Sequence, residues 1–437
     1  MTREQWKLVF AGALGNVLEW YDFAVYGLFA AIIGMHFFPS DNPSTSLIAS
    51  FGAFAAGYLA RPVGSIFFGH IGDRYGHKTA LTASVMMMAV PTFLVGCLPD
   101  FASIGILAPI LLVALRLAQG LSVGGEYTTS VSFLAENAET KHRAIFASWS
   151  SIGSASGILL GSGVFALIVF ILGTEAVQEW AWRLPFLFGI VIAAVGLYLR
   201  RQIQEADPPD HPPRYPMAEC VEKHFGEMTR LGAIVIGISL GYYLAFIYAA
   251  AWLHQDIHVA EARVIDINTF NMLAMVITIP IAAVVSDRVG RRPVLLAGYG
   301  AMVIFSYPLF WLMQTGSTAG ILFAQLTFAV LLGVAAGGLP ALLAEISPPR
   351  VRVTLMSFAY NVVQGIVGGT APMIAVFLVT RTHLDLSPAI YLSLGTLISW
   401  IVVFRLKETR GTDLKSGLGE ATEPEAGKRP KAPAHSD

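Results

Sequence analysis

The sequence predicts an all-α membrane protein in which twelve transmembrane helices form two pseudo-symmetric six-helix bundles. Only 13% of the 437 residues are Asp, Glu, Lys or Arg, whereas a soluble domain carries about 25%. Hydrophobic residues make up 55% of the chain, and the mean hydropathy is +0.63. This composition excludes a soluble globular enzyme and a disordered chain. With only two cysteines, a secreted disulfide scaffold is excluded as well.

Twelve apolar stretches are each long enough to cross the bilayer core, which takes about 20 residues as a helix. They lack the period-two alternation of a membrane β-barrel, so helices are the structure that satisfies their backbone groups. The predicted spans are residues 10–38, 46–70, 79–98, 104–134, 144–173, 182–200, 231–254, 266–286, 293–314, 318–345, 352–380 and 388–406.

The basic residues predict the orientation of these helices. A cytoplasmic N-terminus places 23 of the 28 Lys and Arg residues on the cytoplasmic side, which is the bias that sets topology. We therefore expect a multi-pass protein of the inner (plasma) membrane with both termini in the cytoplasm. The lipid bilayer is its expected surrounding, and nucleic acid is not an expected partner.

The same pattern divides the chain into four parts. Residues 1–200 and 231–410 are the two predicted six-helix bundles. Residues 201–230 form the longest interior loop, whose five prolines predict a semi-rigid cytoplasmic linker. Residues 411–437 are polar and rich in Glu, Lys, Pro and Ala, which predicts a disordered tail.

A short internal repeat follows helices 2 and 8 and helices 4 and 10. Residues 72–78 (GDRYGHK), after helix 2, recur as residues 286–292 (SDRVGRR), after helix 8. An Ala-Glu pair followed by an arginine occurs after helix 4 and again after helix 10. These acids and bases predict a cytoplasmic latch, in which Asp73 caps a helix N-terminus and the arginines pair with acids at other helix ends. The alternative is that the basic residues only signal topology. The predicted gate residues are Asp73, Arg74, Glu136, Arg143, Asp287, Arg288, Glu345 and Arg352.

Several of these segments resemble a known family. Residues 69–78 (GHIGDRYGHK) resemble the loop signature of the major facilitator superfamily. Residues 15–23 (GNVLEWYDF), 119–127 (QGLSVGGEY) and 180–186 (WAWRLPF) are similar to segments of its metabolite:proton symporters. The resemblance implies alternating access between two bundles and transport of a metabolite with a proton. Members carry citrate, 2-oxoglutarate, shikimate, proline or betaine, so the substrate stays open.

Ionisable residues inside the predicted spans are the candidate site, because burying them in a membrane is costly. On helix 1, Asn16, Glu19, Asp22 and Tyr26 are spaced by three or four residues and share one face. We expect Asp22 to be the proton-linked group and Glu19 the second candidate. The alternative is that either acid is permanently paired with an arginine for structure.

Helix 4 adds three polar residues, Arg116, Gln119 and Glu126, that can face the same cavity. A buried guanidinium stays charged and can bind a carboxylate through two hydrogen bonds, so Arg116 is the predicted substrate clamp. Glu126 is a third candidate for proton coupling. Arg61 in helix 2 offers a second cation, although it could instead serve helix packing.

The second bundle offers mostly neutral groups as candidate substrate contacts. They are Tyr242 and Tyr243 in helix 7, Asn271 in helix 8, and Asn361 and Gln364 in helix 11. Packing is the competing explanation for each tyrosine, whereas the amides need partners if buried. The histidines and acid at the outer end of helix 7 are interpreted as a solvated loop, so no metal site is predicted.

We therefore expect a proton-coupled importer of a small polar metabolite, and the family resemblance implies a monomer. The arginines favour an organic acid such as a di- or tricarboxylate. The acids Glu19 and Asp22 are compatible with the alternative, a zwitterion such as proline or betaine. A membrane sensor on the same scaffold is an alternative of another class. No P-loop, nucleophile elbow or metal-ligand spacing occurs, so neither an enzyme nor a cofactor is expected.

Overall fold

Twelve long helical segments make up the fold of the computed structural model, which describes residues 2–201 and 213–414. Within that part of the chain, ten of the segments are both long and apolar enough to cross a membrane. The second and sixth complete the predicted set of twelve. The segments are α1 (Arg3–Phe37), α2 (Pro43–Tyr75), α3 (His77–Cys97), α4 (Leu107–Glu136), α5 (Thr140–Ala181), α6 (Arg183–Arg201), α7 (Phe225–His254), α8 (Glu261–Val289), α9 (Arg291–Gln314), α10 (Thr318–Ile346), α11 (Pro349–Thr382) and α12 (Ser387–Arg405).

Several helices extend beyond the apolar stretch that predicts them. Helix α1 begins at Arg3, because Thr2 and Gln5 form a capping box. The Gln5 amide donates to the Thr2 hydroxyl at 3.2 Å, and the Thr2 amide donates to the Gln5 side chain at 2.8 Å. Capping of this kind satisfies amides that the first turn of a helix leaves without partners. Hydropathy alone does not register it, since the first turn is polar.

Small residues bring corresponding helices of the two halves close together. In the first half, a side chain at Gly120 of α4 would overlap the backbone of Gly57 in α2. In the second half, a Cβ at Gly337 of α10 would lie 2.7 Å from the carbonyl oxygen of Ile279 in α8. Close backbone approach at small residues is typical of packed membrane helices. The α2–α4 and α8–α10 pairs therefore repeat one packing arrangement.

Helices α7 and α11 are each interrupted by a π-helical turn. The turns span Tyr243–Tyr248 and Val363–Gly368, and Tyr243 packs where a side chain at Gly368 would otherwise lie. Such turns are frequently found at functional sites. Here they place aromatic and amide side chains of the second half opposite α1.

Parts of the predicted linker and of the predicted disordered tail are ordered, and both lie near the loops of the repeat. We call the side of the molecule that holds the α2–α3, α4–α5, α8–α9 and α10–α11 loops the motif end, and the opposite side the distal end. The predicted linker, residues 201–230, contains a helix at Pro216–Lys223 and the first turn of α7. That helix packs against α2 and α11 and buries Cys220. Residues 202–212 lie outside the described part.

The predicted disordered tail begins with an ordered segment. Residues 411–414 continue the chain after α12, and the Leu414 side chain is buried. The prediction of disorder is therefore wrong for these four residues, because their backbone carbonyls bind arginines at the motif end. The rest of the predicted tail, residues 415–437, lies outside the described residues.

Candidate functional site

Asp22 lies at the centre of a polar network inside the first bundle. Its carboxylate accepts hydrogen bonds from Arg116 at 2.7 Å, Gln119 at 2.8 Å and Thr92 at 3.0 Å. The Arg116 guanidinium lies 3.8 Å from the centre of the Tyr26 ring, and Asp22 and Arg116 are both almost completely buried. Helices α1, α3 and α4 thus hold a charged pair whose partners all belong to one bundle.

Glu19 lies about one turn away on α1 in a different environment. The Arg61 Nη2 atom lies 3.9 Å from its carboxylate, and neither Glu19 oxygen has a hydrogen-bond partner among the described residues. Arg61 turns instead to the second bundle, where its Nε donates to the Asn361 side chain at 3.1 Å. Asn361 in turn donates to the carbonyls of Gly124 at 2.6 Å and Ser357 at 2.8 Å. The Glu19–Arg61 pair therefore sits where the two bundles meet.

The third acid, Glu126, is bound within the first bundle. It accepts a hydrogen bond from Ser84 of α3, and the neighbouring Ser122 donates to the Ser84 carbonyl at 2.6 Å. Glu126 is 3% exposed. Its side chain thus joins α3 to α4.

A cavity of about 80 Å³ lies between the bundles. Neither Glu19 nor Arg61 is among the residues that line it, but Trp20, which follows Glu19 along α1, is. Two aromatic pairs cross the bundle interface along its wall. Tyr127 stacks on Tyr360 with ring centres 4.7 Å apart, and Trp20 meets Tyr242 edge-on at 5.8 Å. Gln364 also lines the cavity. The position of this cavity between the bundles and its aromatic lining are typical of a small-molecule site.

Two other candidates of the second bundle, Asn271 and Tyr243, contact residues of that bundle. Asn271 donates to Gln325 at 2.8 Å, and Gln325 donates to the carbonyl of Ala245, in the π-helical turn of α7, at 2.9 Å. Both amides lie against a smaller, separate cavity. Tyr243 packs against Gly368. Asn271 and Tyr243 are therefore absent from the lining of the central cavity, whereas Tyr242 and Gln364 belong to it.

At the motif end, two aspartates of the repeat each cap a helix of the opposite bundle. Asp73 of α2 accepts from the amides of Val353 and Thr354, both at 2.9 Å. Asp287 of α8 accepts from the amides of Ala144 at 2.9 Å and Ile145 at 3.0 Å. A carboxylate is favoured at a helix N-terminus, where the first amides have no partner within the helix. The two copies thus tie each bundle to the other.

Ion pairs beside these caps also cross between the bundles. Arg143 lies 3.0 Å from Glu345, and Arg352 lies 2.5 Å from Glu136. Arg291, which the sequence analysis leaves out of the gate, binds Glu345 at 3.0 Å and Asp287 at 2.9 Å. In the repeat, Arg291 corresponds to His77. The first copy therefore has no arginine at this position that would have drawn attention to Arg291.

The remaining two gate candidates lie at the edge of this network. Arg74 donates to the carbonyl of Arg214 at 3.4 Å, and its guanidinium lies over the Tyr75 ring at 5.6 Å. The gate acids Glu136 and Glu345 pair with Arg352 and Arg143 and not with Arg74. Arg288 is exposed.

The chain that follows α12 forms a strap, residues 406–414, across the motif end. The Thr412 carbonyl accepts from Arg143 at 2.9 Å, and the Leu414 carbonyl accepts from Arg352 at 2.6 Å. The Thr409 hydroxyl donates to Glu345 at 2.5 Å. Carbonyls of the strap thus bind one gate arginine from each bundle, and the motif end is closed.

Two independent comparisons with known proteins bear on this architecture. The profile of the family described as "Sugar (and other) transporter" matches residues 8–206 and 223–417. A proline/betaine transporter of Salmonella typhimurium is 34% identical over 433 residues, covering 95% of this chain and 86% of the relative. A glycine betaine/proline/ectoine/pipecolic acid transporter of Dickeya dadantii is 33% identical with the same coverage.

Solved structures share the fold at low sequence identity. A major facilitator superfamily proton:xylose symporter, XylE, superposes with a TM-score of 0.79 at 17% identity, covering 94% of this chain and 98% of that one. The human organic anion transporter MFSD10 gives a TM-score of 0.68 at 15% identity, covering 92% and 100%. The resemblance stated from residues 15–23, 69–78, 119–127 and 180–186 is confirmed. The chain belongs to the major facilitator superfamily, and it is a multi-pass membrane transporter of twelve helices rather than an enzyme.

Proposed function

We propose that the protein is a proton-coupled symporter that imports a small zwitterion of the proline and betaine class. The observation that carries this proposal is the central cavity with its aromatic wall, in which Trp20 directly follows Glu19 of the buried carboxylate–guanidinium pair along α1. The names of the relatives from Salmonella typhimurium and Dickeya dadantii point to the same chemical class. This is the alternative of the sequence analysis, and it replaces the organic acid as the favoured substrate.

Charge explains why the zwitterion fits better. The Glu19–Arg61 pair is electrically neutral, and so is a zwitterion, whereas a di- or tricarboxylate would add two or three negative charges beside Glu19. Uncompensated charge is expensive in a medium of low dielectric. Arg116, the clamp expected for an organic acid, is already bound to Asp22 and stacked on Tyr26.

The two ends of a zwitterion have separate partners available. One nitrogen of Arg61, Nη1, has no hydrogen-bond partner among the described residues and can donate to the substrate carboxylate. The Glu19 oxygens can accept from an ammonium group. Trp20 and Tyr242 offer aromatic faces for a quaternary ammonium, which cannot donate a hydrogen bond but is attracted by ring quadrupoles.

Asp22 and Arg116 are the proposed proton-linked pair, with Glu126 a further candidate. A substrate on the cavity side would have to displace three bound side chains to reach Asp22, but a proton needs only one oxygen. Protonation removes the negative charge that holds Arg116, so the network must rearrange. The pair thus has two states that a proton selects, which is what coupling requires.

Orientation and setting are part of the proposal. The basic residues favour both termini and the motif end in the cytoplasm, in the inner membrane, with the protein acting as a monomer. The closed motif end then corresponds to a state shut toward the cytoplasm. A C-terminal fluorescent-protein fusion should fluoresce and a C-terminal alkaline phosphatase fusion should be inactive. The reverse pattern contradicts this orientation.

Counterflow in proteoliposomes tests the substrate class. Vesicles preloaded with unlabelled proline, betaine, citrate or 2-oxoglutarate receive the same compound in labelled form outside. We expect exchange with proline or betaine and none with the two organic acids. Exchange of the organic acids alone overturns the zwitterion, and exchange of none of the four favours the sensor.

A matched pair of variants distinguishes a loss of exchange caused by damage to the site from one caused by a loss of folded protein. Glu19→Gln should lose exchange, because the carboxylate that faces the substrate cation is gone. Glu175→Gln alters an exposed acid near the distal end of α5 and should exchange as the unaltered protein does. Equal exchange by both variants contradicts the assignment of Glu19 to the substrate.

A further inference from the structure

A groove at the motif end, distinct from the central cavity, runs between α7 and α12. It is partly open and has a volume of about 740 Å³. Its α7 side includes Thr229, Arg230 and Ala233, and its α12 side includes Arg405, Leu406 and Lys407. Its lining belongs to two helices of the second bundle, whereas the Arg143–Glu345 and Arg352–Glu136 pairs join the two bundles.

The cations of this groove differ from those of the gate. Arg230, Arg405 and Lys407 are all exposed, and within residues 2–201 and 213–414 none of the three forms an ion pair. The gate arginines Arg291 and Arg352, in contrast, each bind an acid. Three positive charges therefore line one groove, and its lining includes no acid.

The floor of the groove is fixed by hydrogen bonds between the two helices. The Ser399 hydroxyl of α12 donates to the Ala233 carbonyl of α7 at 2.6 Å and accepts from the Gly237 amide at 2.8 Å. A side chain at Gly237 would press on Ser399, with its Cβ 3.1 Å from the hydroxyl oxygen. The helices are thus clamped one to two turns away from the cations, and the groove keeps its shape without a ligand.

An apolar stripe on the outside of α12 leads to this groove. Leu394, Ile398 and Ile401 are 58%, 48% and 38% exposed and are spaced by four and three residues. Arg405 continues the same spacing. In a membrane helix, such an exposed apolar stripe faces the acyl chains of lipid. The stripe and the cations together match a molecule with an anionic head and an apolar tail.

We propose that the groove between α7 and α12 binds the phosphodiester headgroup of an anionic phospholipid. Arg230, Arg405 and Lys407 bind the phosphate oxygens, and the acyl chains lie along Leu394, Ile398 and Ile401. Basic pockets between membrane helices bind anionic headgroups in this way, and arginine pairs with phosphate through charge-assisted hydrogen bonds. The proposal is independent of the transported substrate.

Topology signalling explains cations at this end but not their arrangement. The positive-inside bias requires only that Lys and Arg lie in the loops or near helix ends. It does not require three of them to share a groove between two helices, above a hydrogen-bonded floor and beside a lipid-facing stripe. The arrangement is what the lipid accounts for.

Binding of short-chain lipids to the purified full-length protein tests the proposal. The probes are dihexanoyl phosphatidylglycerol, dihexanoyl phosphatidylcholine and inorganic phosphate, and the readout is the thermal unfolding midpoint as a function of probe concentration. The test variant carries Arg230→Gln, Arg405→Gln and Lys407→Gln. The control carries Lys141→Gln, Lys223→Gln and Arg350→Gln, which remove the same charge from exposed positions outside the groove.

We expect phosphatidylglycerol to raise the midpoint of the unaltered and control proteins, with phosphatidylcholine and phosphate far weaker. In the test variant the apparent affinity for phosphatidylglycerol should fall at least about tenfold. Equal stabilisation by phosphatidylcholine would show that only the apolar stripe binds, and equal stabilisation by phosphate would show a free anion site. An equal loss in the control would show a diffuse surface charge. Each of these three results overturns the proposal.

Discussion

The buried charges occupy two regions that differ in which helices supply their partners. Around Asp22, every partner belongs to the first bundle, and both carboxylate oxygens accept hydrogen bonds. Along the interface, from Glu19 to the strap, the partners come from both bundles. A contact within one bundle can persist when the bundles rock, whereas a contact between them has to break. The groups around Asp22 therefore stabilise the first bundle, whereas the groups along the interface have contacts that depend on how the two bundles are arranged.

The largest effect should come from removing Arg116. Arg116→Ala leaves Asp22 buried without its cation, and breaking a buried pair in this way costs about 3–5 kcal/mol. Arg61→Ala should cost less than half as much, because Arg61 lies 3.9 Å from Glu19, whereas Arg116 lies 2.7 Å from Asp22 and donates a hydrogen bond to it. Unfolding midpoints in detergent give both values. Equal losses would erase the distinction between the two regions.

Cys220 provides a reporter for the interface region. The helix at Pro216–Lys223 packs against α2 and α11, so separation of the bundles at the motif end should uncover its thiol. Burial raises the pKa of the Cys220 thiol to about 12, with nearby Asp73 and Glu219 adding to the effect. The thiolate that reacts with maleimide is therefore scarce at neutral pH in the closed state. Cys97, which is exposed, is replaced by Ser in these experiments.

Glu345→Gln should open the gate. The substitution leaves Arg143 and Arg291 without the acid they share, and several kcal/mol of closed-state stability are lost. We expect maleimide labelling of Cys220 to accelerate at least about tenfold. Glu139→Gln is the matched control, since Glu139 pairs with Lys141 in solvent. Labelling that stays slow in Glu345→Gln would contradict the role of the gate.

The aromatic wall should have a smaller effect, confined to substrate affinity. Trp20→Ala removes one face of the cavity, and a desolvated cation–π contact contributes about 1–2 kcal/mol, so betaine affinity should fall about 5- to 30-fold. Trp180→Ala, at an exposed position, is the control. Competition counterflow measures both. A Trp20 variant with unchanged betaine affinity would remove the aromatic argument.

The strap should contribute least, because water can replace its carbonyls. A chain that ends at Arg410 keeps Glu408 and Thr409 but loses the acceptors at Thr412 and Leu414. These two acceptors together contribute about 1 kcal/mol net, so Cys220 labelling should rise roughly fivefold. A chain that ends at Leu414 keeps them and is the control. If both truncations label alike, the strap does not hold the gate.

The sequence predicts the helices and the identity of the buried charges because both follow from local composition. Twelve apolar stretches give twelve helices, and the spacing of Glu19 and Asp22 places them on one face of α1. The sequence does not predict that Asp22 lies inside the first bundle and Glu19 at the interface between the bundles. Which neighbour each acid meets depends on the rotation of α2 and α4 against α1, and that rotation is set by glycines such as Gly57 and Gly120.

The aromatic wall and the strap escape prediction for related reasons. In the sequence, Trp20, Tyr127 and Tyr360 cannot be told from aromatic residues that only pack in the core. They form one wall because α1, α4, α7 and α11 pack around the same cavity. The strap binds through the backbone carbonyls of Thr412 and Leu414 and through the side chains of Glu408 and Thr409, none of which belongs to the sequence repeat. Arg291 escapes prediction as well, because the corresponding residue of the first copy is His77 and the repeat draws no attention to this position.

The most direct test of the division of roles compares Asp22→Asn with Glu19→Gln in the same proteoliposomes, by proline counterflow and by accumulation driven by an imposed pH gradient. The account predicts that Asp22→Asn keeps counterflow and loses accumulation, because exchange needs no net proton movement. Glu19→Gln should lose both through reduced affinity. Asp22→Asn that still accumulates proline in response to the gradient, or Glu19→Gln that binds normally, would contradict the account.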